Sequence, residues 1–396
     1  MVTELKACEV CGNRDLESVL NLGNHPLCDD LVPIGDSRIC KEYPIEILFC
    51  PTCVTAQQRF RLPKEELFPP NYHYRARHTQ DVLKGMEELV RWCESEIGSL
   101  EGLNVLDIGC NDGSLLNFFK VKGSLTYGVD PTKAANEAAI ARHEVFPACY
   151  FHEEFARRVL PLIGTQDIIT MTNVFAHVDN LPSVIEGIRL LSHNETMIVI
   201  ENHYLGSVLD KCQFDTFYYE HLRTYSATSF LHIGKHLGIA PKYITFPSRY
   251  NGNIRVTFKN DRSPNFDDLV EGEKNFGRDL KTLADHIPEW KAHVLPRIEY
   301  QVKKHGRMRA KAFPGRAAIL IKLLGLTNDQ IEAAYEKPGS SKIGHYIPGT
   351  RIPILSEDLL EYDDDRPILN LAWHISHEIK EYLKEKGFRG EVTNIL

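Results

Sequence analysis

Short apolar runs alternate with longer amphipathic stretches along most of the chain, the rhythm of an α/β fold. Asn104 to Ile108 is a run of this kind carrying Asp107, and it reads as a buried strand. Gly109 and Gly113 follow, then Ser114 and an amphipathic segment from Leu115 to Phe119. That order predicts strand, glycine turn and helix, the unit that brings backbone close to a bound nucleotide. LTYGVD is the expected second strand and ends in Asp130, 21 residues beyond Gly109, where an acid can accept hydrogen bonds from both hydroxyls of a ribose. DIITMTNVFAHVDNL and MIVIENHYL are the third and fourth strands. Ligands of open α/β sheets sit at the carboxyl ends of strands. This places Asn173, His177, Glu201, Asn202 and His203 near a cofactor and substrate.

A further α/β pattern opens near residue 245. NIRVTFKN reads as a strand, Asp279 to Gly306 as mostly helical, and LNLAWHISHEIKEYLKEKG as an amphipathic helix ending at Gly387. The intervening turns hold Gly315, Arg316, Gly339, Ser340, Ser341, Lys342 and Gly349, a set that can cradle a pyrophosphate or simply face solvent. The N-terminal stretch is different. About 60 residues with few large apolar side chains need a staple to fold. Three domains are therefore expected: 1–68, 69–244 and 245–396.

The staple is legible. Cys8, Cys11, Cys50 and Cys53 form two C-x-x-C pairs with 38 residues between them. Two thiolates on one tight turn bind a metal together, and two such turns complete a closed tetrahedral zinc site with no open catalytic position. LNLGNHPLCDDLV and YPIEILFC are the short strands between the pairs. Cys28 and Cys40 lack partners at ligand spacing. Redox or incidental thiols are the alternative reading of the pairs.

The chain has 396 residues, 43% hydrophobic and 25% charged, with a formal net charge of −8. An acidic balance disfavours nonspecific binding to nucleic acid or to an anionic membrane. No stretch approaches the ~20 apolar residues of a membrane span, and MVTELKACEVC lacks the pattern of a signal peptide. A cytoplasmic location is expected, where ten cysteines are not explained by disulfides.

Charge also decides the cofactor. The turn Gly109-Cys110-Asn111-Asp112-Gly113 lacks the paired first glycines of a dinucleotide site. Asp107 and Asp112 would repel a pyrophosphate but not a cationic sulfonium amino acid, which favours S-adenosylmethionine over NAD. A Rossmann-like turn without cofactor is the alternative.

The densest chemistry lies in QFDTFYYEHLRTYSATSF, where Tyr218, Tyr219, Glu220 and His221 are adjacent. Histidine suits general-base work near neutral pH, a nearby glutamate can fix its tautomer, and tyrosine hydroxyls can donate to a developing enolate oxygen. An amphipathic helix with a solvated Glu and His is the competing reading. An earlier cluster of Tyr72, His73 and Tyr74, after Pro69 and Pro70, reads as a hinge over the substrate or as a packed linker.

Taken in order, the paired C-x-x-C module, Y-x-Y, VLDIGCNDGSLL, IENHYL through QFDTFYYEHLRTYS, and KPGSSKIGHYIPGTRIPI resemble the three-domain sugar 3-C-methyltransferases of bacterial deoxysugar biosynthesis across nearly the whole chain. The resemblance implies a Rossmann-like methyltransferase domain between an N-terminal zinc-binding module and a C-terminal α/β domain that binds sugar nucleotide. It implies structural zinc on Cys8, Cys11, Cys50 and Cys53, and S-adenosylmethionine at Asp107, Gly109, Gly113 and Asp130, to which Asn173 is added as a cofactor-binding residue by its strand-end position. Around the sugar it implies Tyr72, His177, Tyr218, Glu220 and His221, with His221 as base. The expected reaction is methylation of carbon 3 of a nucleotide-linked 4-keto-6-deoxysugar through an enolate, by a monomer. RAKAFPGRAAIL departs from the G-A-x-A-K-G turn of the resemblance, which leaves the nucleotide open among thymidine, guanosine and cytidine. A sugar O- or N-methyltransferase, which needs no ketone, and a noncatalytic zinc-ribbon binding protein are the rival functions.

Overall fold

The computed structural model describes residues 2–67, 75–248 and 252–396, less the side chains of Lys64, Glu65 and His78. The chain divides into two compact units, one of Met1–Ser18, Leu48–Cys212 and Glu220–Asp279, the other of Val19–Ile47, Gln213–Tyr219 and Leu280–Leu396. Among the described residues no helix is long and apolar enough to cross a membrane.

The first unit is built on a seven-stranded sheet. Its strands are β1 (Asn104–Ile108), β2 (Leu125–Asp130), β3 (Glu144–Pro147), β4 (Gln166–Thr172), β5 (Ser192–His203), β6 (Pro241–Thr245) and β7 (Asn253–Phe258). They lie in the order β6-β7-β5-β4-β1-β2-β3. The run β3-β2-β1-β4-β5 is parallel, whereas β7 is antiparallel to both β5 and β6. The parallel strands read as apolar runs because both faces are covered. On one face Val105, Ile168, Met197 and Val199 pack with Val82, Met86, Leu89, Leu115 and Phe119 from helices Gln80–Ile97 and Ser114–Val121. On the other, Leu106, Ile108, Ile169, Met171, Ile198 and Ile200 pack with Phe155, Val159, Val184, Ile188, Phe230 and Ile233. Cys8, Val10, Cys50 and Cys53 belong to that second cluster.

Strand β7 contains the NIRVTF expected to open the C-terminal domain. It is buried along its whole length and completes the first unit's sheet, because both neighbouring strands need their edges paired. The helical reading of QFDTFYYEHLRTYSATSF is corrected. A 3₁₀ turn covers Phe214–Thr216 and a short strand Arg223–Thr224, and a helix begins only at Ala227 behind a Ser226/Ser229 capping box. Asp215, Glu220, His221 and Arg223 are all buried, so there is no solvent face on which a helix would carry them.

The second unit holds five parallel strands, β8 (Met308–Lys311), β9 (Ile331–Glu336), β10 (Ile354–Ser356), β11 (Ile368–Asn370) and β12 (Val392–Asn394), in the order β10-β9-β8-β11-β12. The expected late helix is confined to Ser376–Glu385, because the preceding ILN is β11. Its order repeats the doubly wound pattern, with the switch between β8 and β11.

Candidate active site and zinc centre

In a doubly wound sheet the ligand crevice opens where the strand order reverses. In the first unit that point lies between the carboxyl ends of β1 and β4, and the residues there are shaped for close approach. Gly109 has φ +78°, and a Cβ on it would stand 2.3 Å from Val174 Cγ2. Gly113 has φ +79° and faces Ala138. Asn111 and Asn173 also adopt positive φ, 49° and 55°, which Asn tolerates better than most residues. Such strain clusters at ligand sites.

Three carboxylates surround this turn. Asp107 is buried and accepts from Thr170 Oγ1 at 2.7 Å. Burial, with the nearby Asp130 charge adding to it, pushes its carboxyl up to about 7. Asp112 accepts from the Ser114 hydroxyl at 2.6 Å and from Arg77 N at 3.1 Å. Asp130 Oδ1 accepts from Thr132 N at 2.8 Å and Thr132 Oγ1 at 2.6 Å, and Oδ2 from Asn111 N at 3.0 Å. A buried acidic set over a glycine cradle fits a cationic sulfonium amino acid and rejects a pyrophosphate. Oδ1 of Asp130 already carries two donors, which leaves room for one more at Oδ2. Asp130→Asn is therefore expected to weaken S-adenosylhomocysteine binding by the worth of one charged hydrogen bond, about 1.5–3 kcal/mol, or roughly 10–150-fold in Kd. Isothermal calorimetry at matched folding measures this, and an unchanged Kd excludes the role.

Beyond the same strand ends lie three histidines. His177 follows β4, His203 ends β5, and the His221 ring lies 5.0 Å from the first and 4.9 Å from the second, centroid to centroid. His177 Nδ1 donates to the Glu220 carbonyl, which can only accept. Burial, opposed by backbone hydrogen bonds to Glu220 and Asn173, lowers the His177 pKa from its ordinary value. Beneath them, Glu201 accepts from Asn253 Nδ2 at 2.9 Å and from Arg255 Nε at 2.6 Å, and Asn253 Nδ2 reaches Asn173 Oδ1 at 3.2 Å. Asn202 Oδ1 accepts from Ala176 N at 3.1 Å, while its buried Nδ2 has no partner among the described residues.

The expected site residues are thus only partly brought together. Asp107, Gly109, Gly113, Asp130 and Asn173 share the crevice, and His177, Glu220 and His221 share one cluster. Tyr218, half-buried, belongs to the second unit. Tyr72, with His73 and Tyr74, lies outside the described residues.

In the second unit, Arg316 does not stand open to a phosphate as the turn composition suggested. It grips Asp215 through both carboxylate oxygens, at 2.8 and 2.5 Å, and donates to Thr216 Oγ1 at 2.6 Å and Gln213 Oε1 at 3.2 Å. Trp373 Nε1 donates to the same carboxylate at 2.9 Å. Lys342 is likewise engaged, donating to Phe313 O at 2.7 Å.

The four cysteines converge as the spacing required. Their sulfurs all lie within 4.8 Å of one another, with Cys8 to Cys53 at 3.4 Å and Cys11 to Cys50 at 3.5 Å. A zinc–sulfur bond of ~2.3 Å places tetrahedral sulfurs ~3.8 Å apart, so the set fits zinc. Both turns close alike: Gly12 N donates to Cys8 O at 2.8 Å and Val54 N to Cys50 O at 2.9 Å, each from a left-handed residue. Gln57 Nε2 donates to Cys8 Sγ at 3.2 Å, as an outer partner that orients a metal ligand. Glu9, inside the first turn and partly exposed, forms an ion pair with the buried Arg223 that pattern reading missed. A lone acid between two cysteines carries no signal by which to find it.

Three family models match the chain in order: a zinc binding domain over residues 8–68, a methyltransferase domain over 73–241 and a C-methyltransferase C-terminal domain over 250–392. The chain is 26% identical over 404 residues to the C-methyltransferase NovU of Streptomyces niveus, covering 98% of this chain and 95% of that protein. It is 23% identical over 123 residues to a ubiquinone biosynthesis O-methyltransferase of Leptothrix cholodnii, covering 30% of this chain and 49% of that one. The magnesium protoporphyrin IX methyltransferase of Synechocystis PCC 6803 superposes with a TM-score of 0.36 and 18% identity over 45% of this chain and 84% of its own. Fold and site define a Rossmann-like, S-adenosylmethionine-dependent methyltransferase. The chain belongs to the C-methyltransferases that flank such a domain with an N-terminal structural zinc domain and a dedicated C-terminal domain.

Proposed function

We propose that the enzyme methylates carbon 3 of a nucleotide-linked 4-keto-6-deoxysugar through an enolate. The observation that carries the reading is the His177–His221–His203 cluster beside the carboxyl ends that frame the glycine cradle. A carbon becomes nucleophilic only if a base removes its proton next to a carbonyl, and an imidazole is matched to that task at neutral pH. His221 takes the carbon 3 proton. His177, with Nδ1 committed to Glu220 O, orients the Glu220–His221 backbone. Tyr72 and Tyr218 are the candidate donors to the enolate oxygen, joined by His177 through Nε2 when that ring is protonated, as an oxyanion site. Asp107, Gly109, Gly113, Asp130 and Asn173 hold the cofactor, which when bound supplies an electrophilic methyl group. The C-terminal domain binds the sugar nucleotide. Proximity then supplies much of the acceleration.

The test is exchange without methyl transfer. In D₂O with S-adenosylhomocysteine, the enzyme is given thymidine-, guanosine- and cytidine-diphosphate-linked 4-keto-6-deoxysugars. Deuterium should enter carbon 3 of one of them. A sugar O- or N-methyltransferase has no reason to exchange that proton, so methyl transfer to any of the three without exchange would overturn the reading.

A further inference from the structure

Two residues past His221 stands Arg223, a cation with no exposed side-chain surface that the chemistry above does not use. A buried guanidinium is costly unless its fork is filled. Nη1 donates to Glu9 Oε2, Nη2 to the carbonyl of Val178, and Nε to the Tyr225 hydroxyl at 2.9 Å. That hydroxyl in turn donates to Phe175 O at 3.1 Å. The backbone repeats the connection, since Leu222 N donates to Ala176 O at 3.0 Å. The segment carrying His177 and the segment carrying His221 are therefore bound together around one side chain.

The other end of this network is the zinc centre. Glu9 lies between the ligands Cys8 and Cys11, and its Oε2 also accepts from Arg61 at 2.7 Å. Glu9 N donates to Gln57 Oε1 at 3.1 Å, and Gln57 is the residue that donates to Cys8 Sγ. Gln57 is in turn the register partner of Arg223, and Gln58 N donates to Leu222 O at 3.0 Å.

We propose that Arg223, held by Glu9 of the first zinc-binding turn, is a positioning residue that sets His177 and His221 in register, so that the zinc centre supports methyl transfer through one ion pair. This rests on the reading of His221 as the base. A turn closed on zinc fixes Glu9, Glu9 fixes the guanidinium, and the guanidinium fixes the Val178 carbonyl and the strand behind His221. Misplacing a reacting group by about 1 Å costs on the order of 10²-fold in rate. The positive charge of Arg223 also opposes protonation of His177, adding to the effect of burial.

The experiment uses Arg223→Lys and the isosteric Glu9→Gln in the full chain. Each is expected to lower kcat by about 10–100-fold, while KM, the Kd for S-adenosylhomocysteine and the zinc content stay close to wild type. A second readout is independent of turnover. The His177 Nδ1 proton bonded to Glu220 O should give a protected imidazole signal in ¹⁵N-histidine spectra, assigned by its absence in His177→Asn. That signal should be lost or broadened in both variants. The double variant should be no worse than Arg223→Lys alone, because both act on one strut. An unchanged signal and kcat would overturn the proposal. So would loss of zinc and cofactor binding in both variants, which would make the pair general scaffolding. If the wild type exchanges no carbon 3 proton, the base assignment fails by itself, while the imidazole signal still decides the coupling.

Discussion

Replacing His221 by alanine is expected to lower turnover by about 10²–10⁴-fold, the usual contribution of a general base, and to suppress deuterium exchange at carbon 3 to a similar degree. Affinity for S-adenosylhomocysteine should change little, because the cofactor cradle is formed by the turns after β1, β2 and β4 and not by the His221 segment. The environment supports this division. His221 is buried between two imidazoles, one of which has its pKa lowered by burial and is committed through Nδ1 to a backbone carbonyl. His177 is the competitor for the role, and the two can be told apart. His177→Ala should slow turnover by weakening enolate stabilisation while leaving some exchange. If His221→Ala exchanges at the wild-type rate and His177→Ala does not, the roles are reversed.

Cys50→Ser is expected to release zinc and to lower the unfolding midpoint by about 10 °C or more, with activity lost along with the fold instead of selectively. Structural zinc in small modules carries apparent binding free energies of roughly 10–16 kcal/mol, comparable to the whole stability of a typical domain. Here the cysteines are also core residues. Cys8, Cys50 and Cys53 pack in the same apolar cluster as β1, β4 and β5, so opening the turn exposes part of the sheet's own cover. Metal analysis of protein purified without chelator should give one zinc per chain. Finding none in wild type, or a Cys50→Ser protein as stable as wild type, would remove the structural role.

The two groups of residues differ in how far apart their parts lie in the chain, and this governs what could be read before folding. The four thiolates announce themselves because each C-x-x-C pair is one turn, and a closed tetrahedron needs only two such turns. The glycine cradle is similarly local: Gly109 and Gly113 stand within five residues, and their positive φ values and close contacts with Val174 and Ala138 follow from a strand turning straight into a helix. The alternation of apolar runs with amphipathic stretches specified β1, β2, β4 and β5 because strands covered on both faces have no polar periodicity to obscure them. For the same reason the sequence determined the cofactor class, since acids at the strand ends select the sign of charge that can bind there.

Other features depended on groups far apart in sequence. Nothing local in NIRVTF says which sheet it joins, and its place as β7 was decided by pairing with β5 and β6. The segment from Phe214 to Tyr225 has helix-compatible composition, but its polar groups are satisfied at long range: Asp215 by Arg316 and Trp373, and Arg223 by Glu9 and Val178. Once those partners exist, a loop that delivers each side chain to its own contact is more stable than a helix that would leave buried charges unmet. The approach of His203 to His221, and the ion pair from the zinc turn to the strand behind that histidine, were decided at the same level, because they join residues whose proximity only the packed sheet creates.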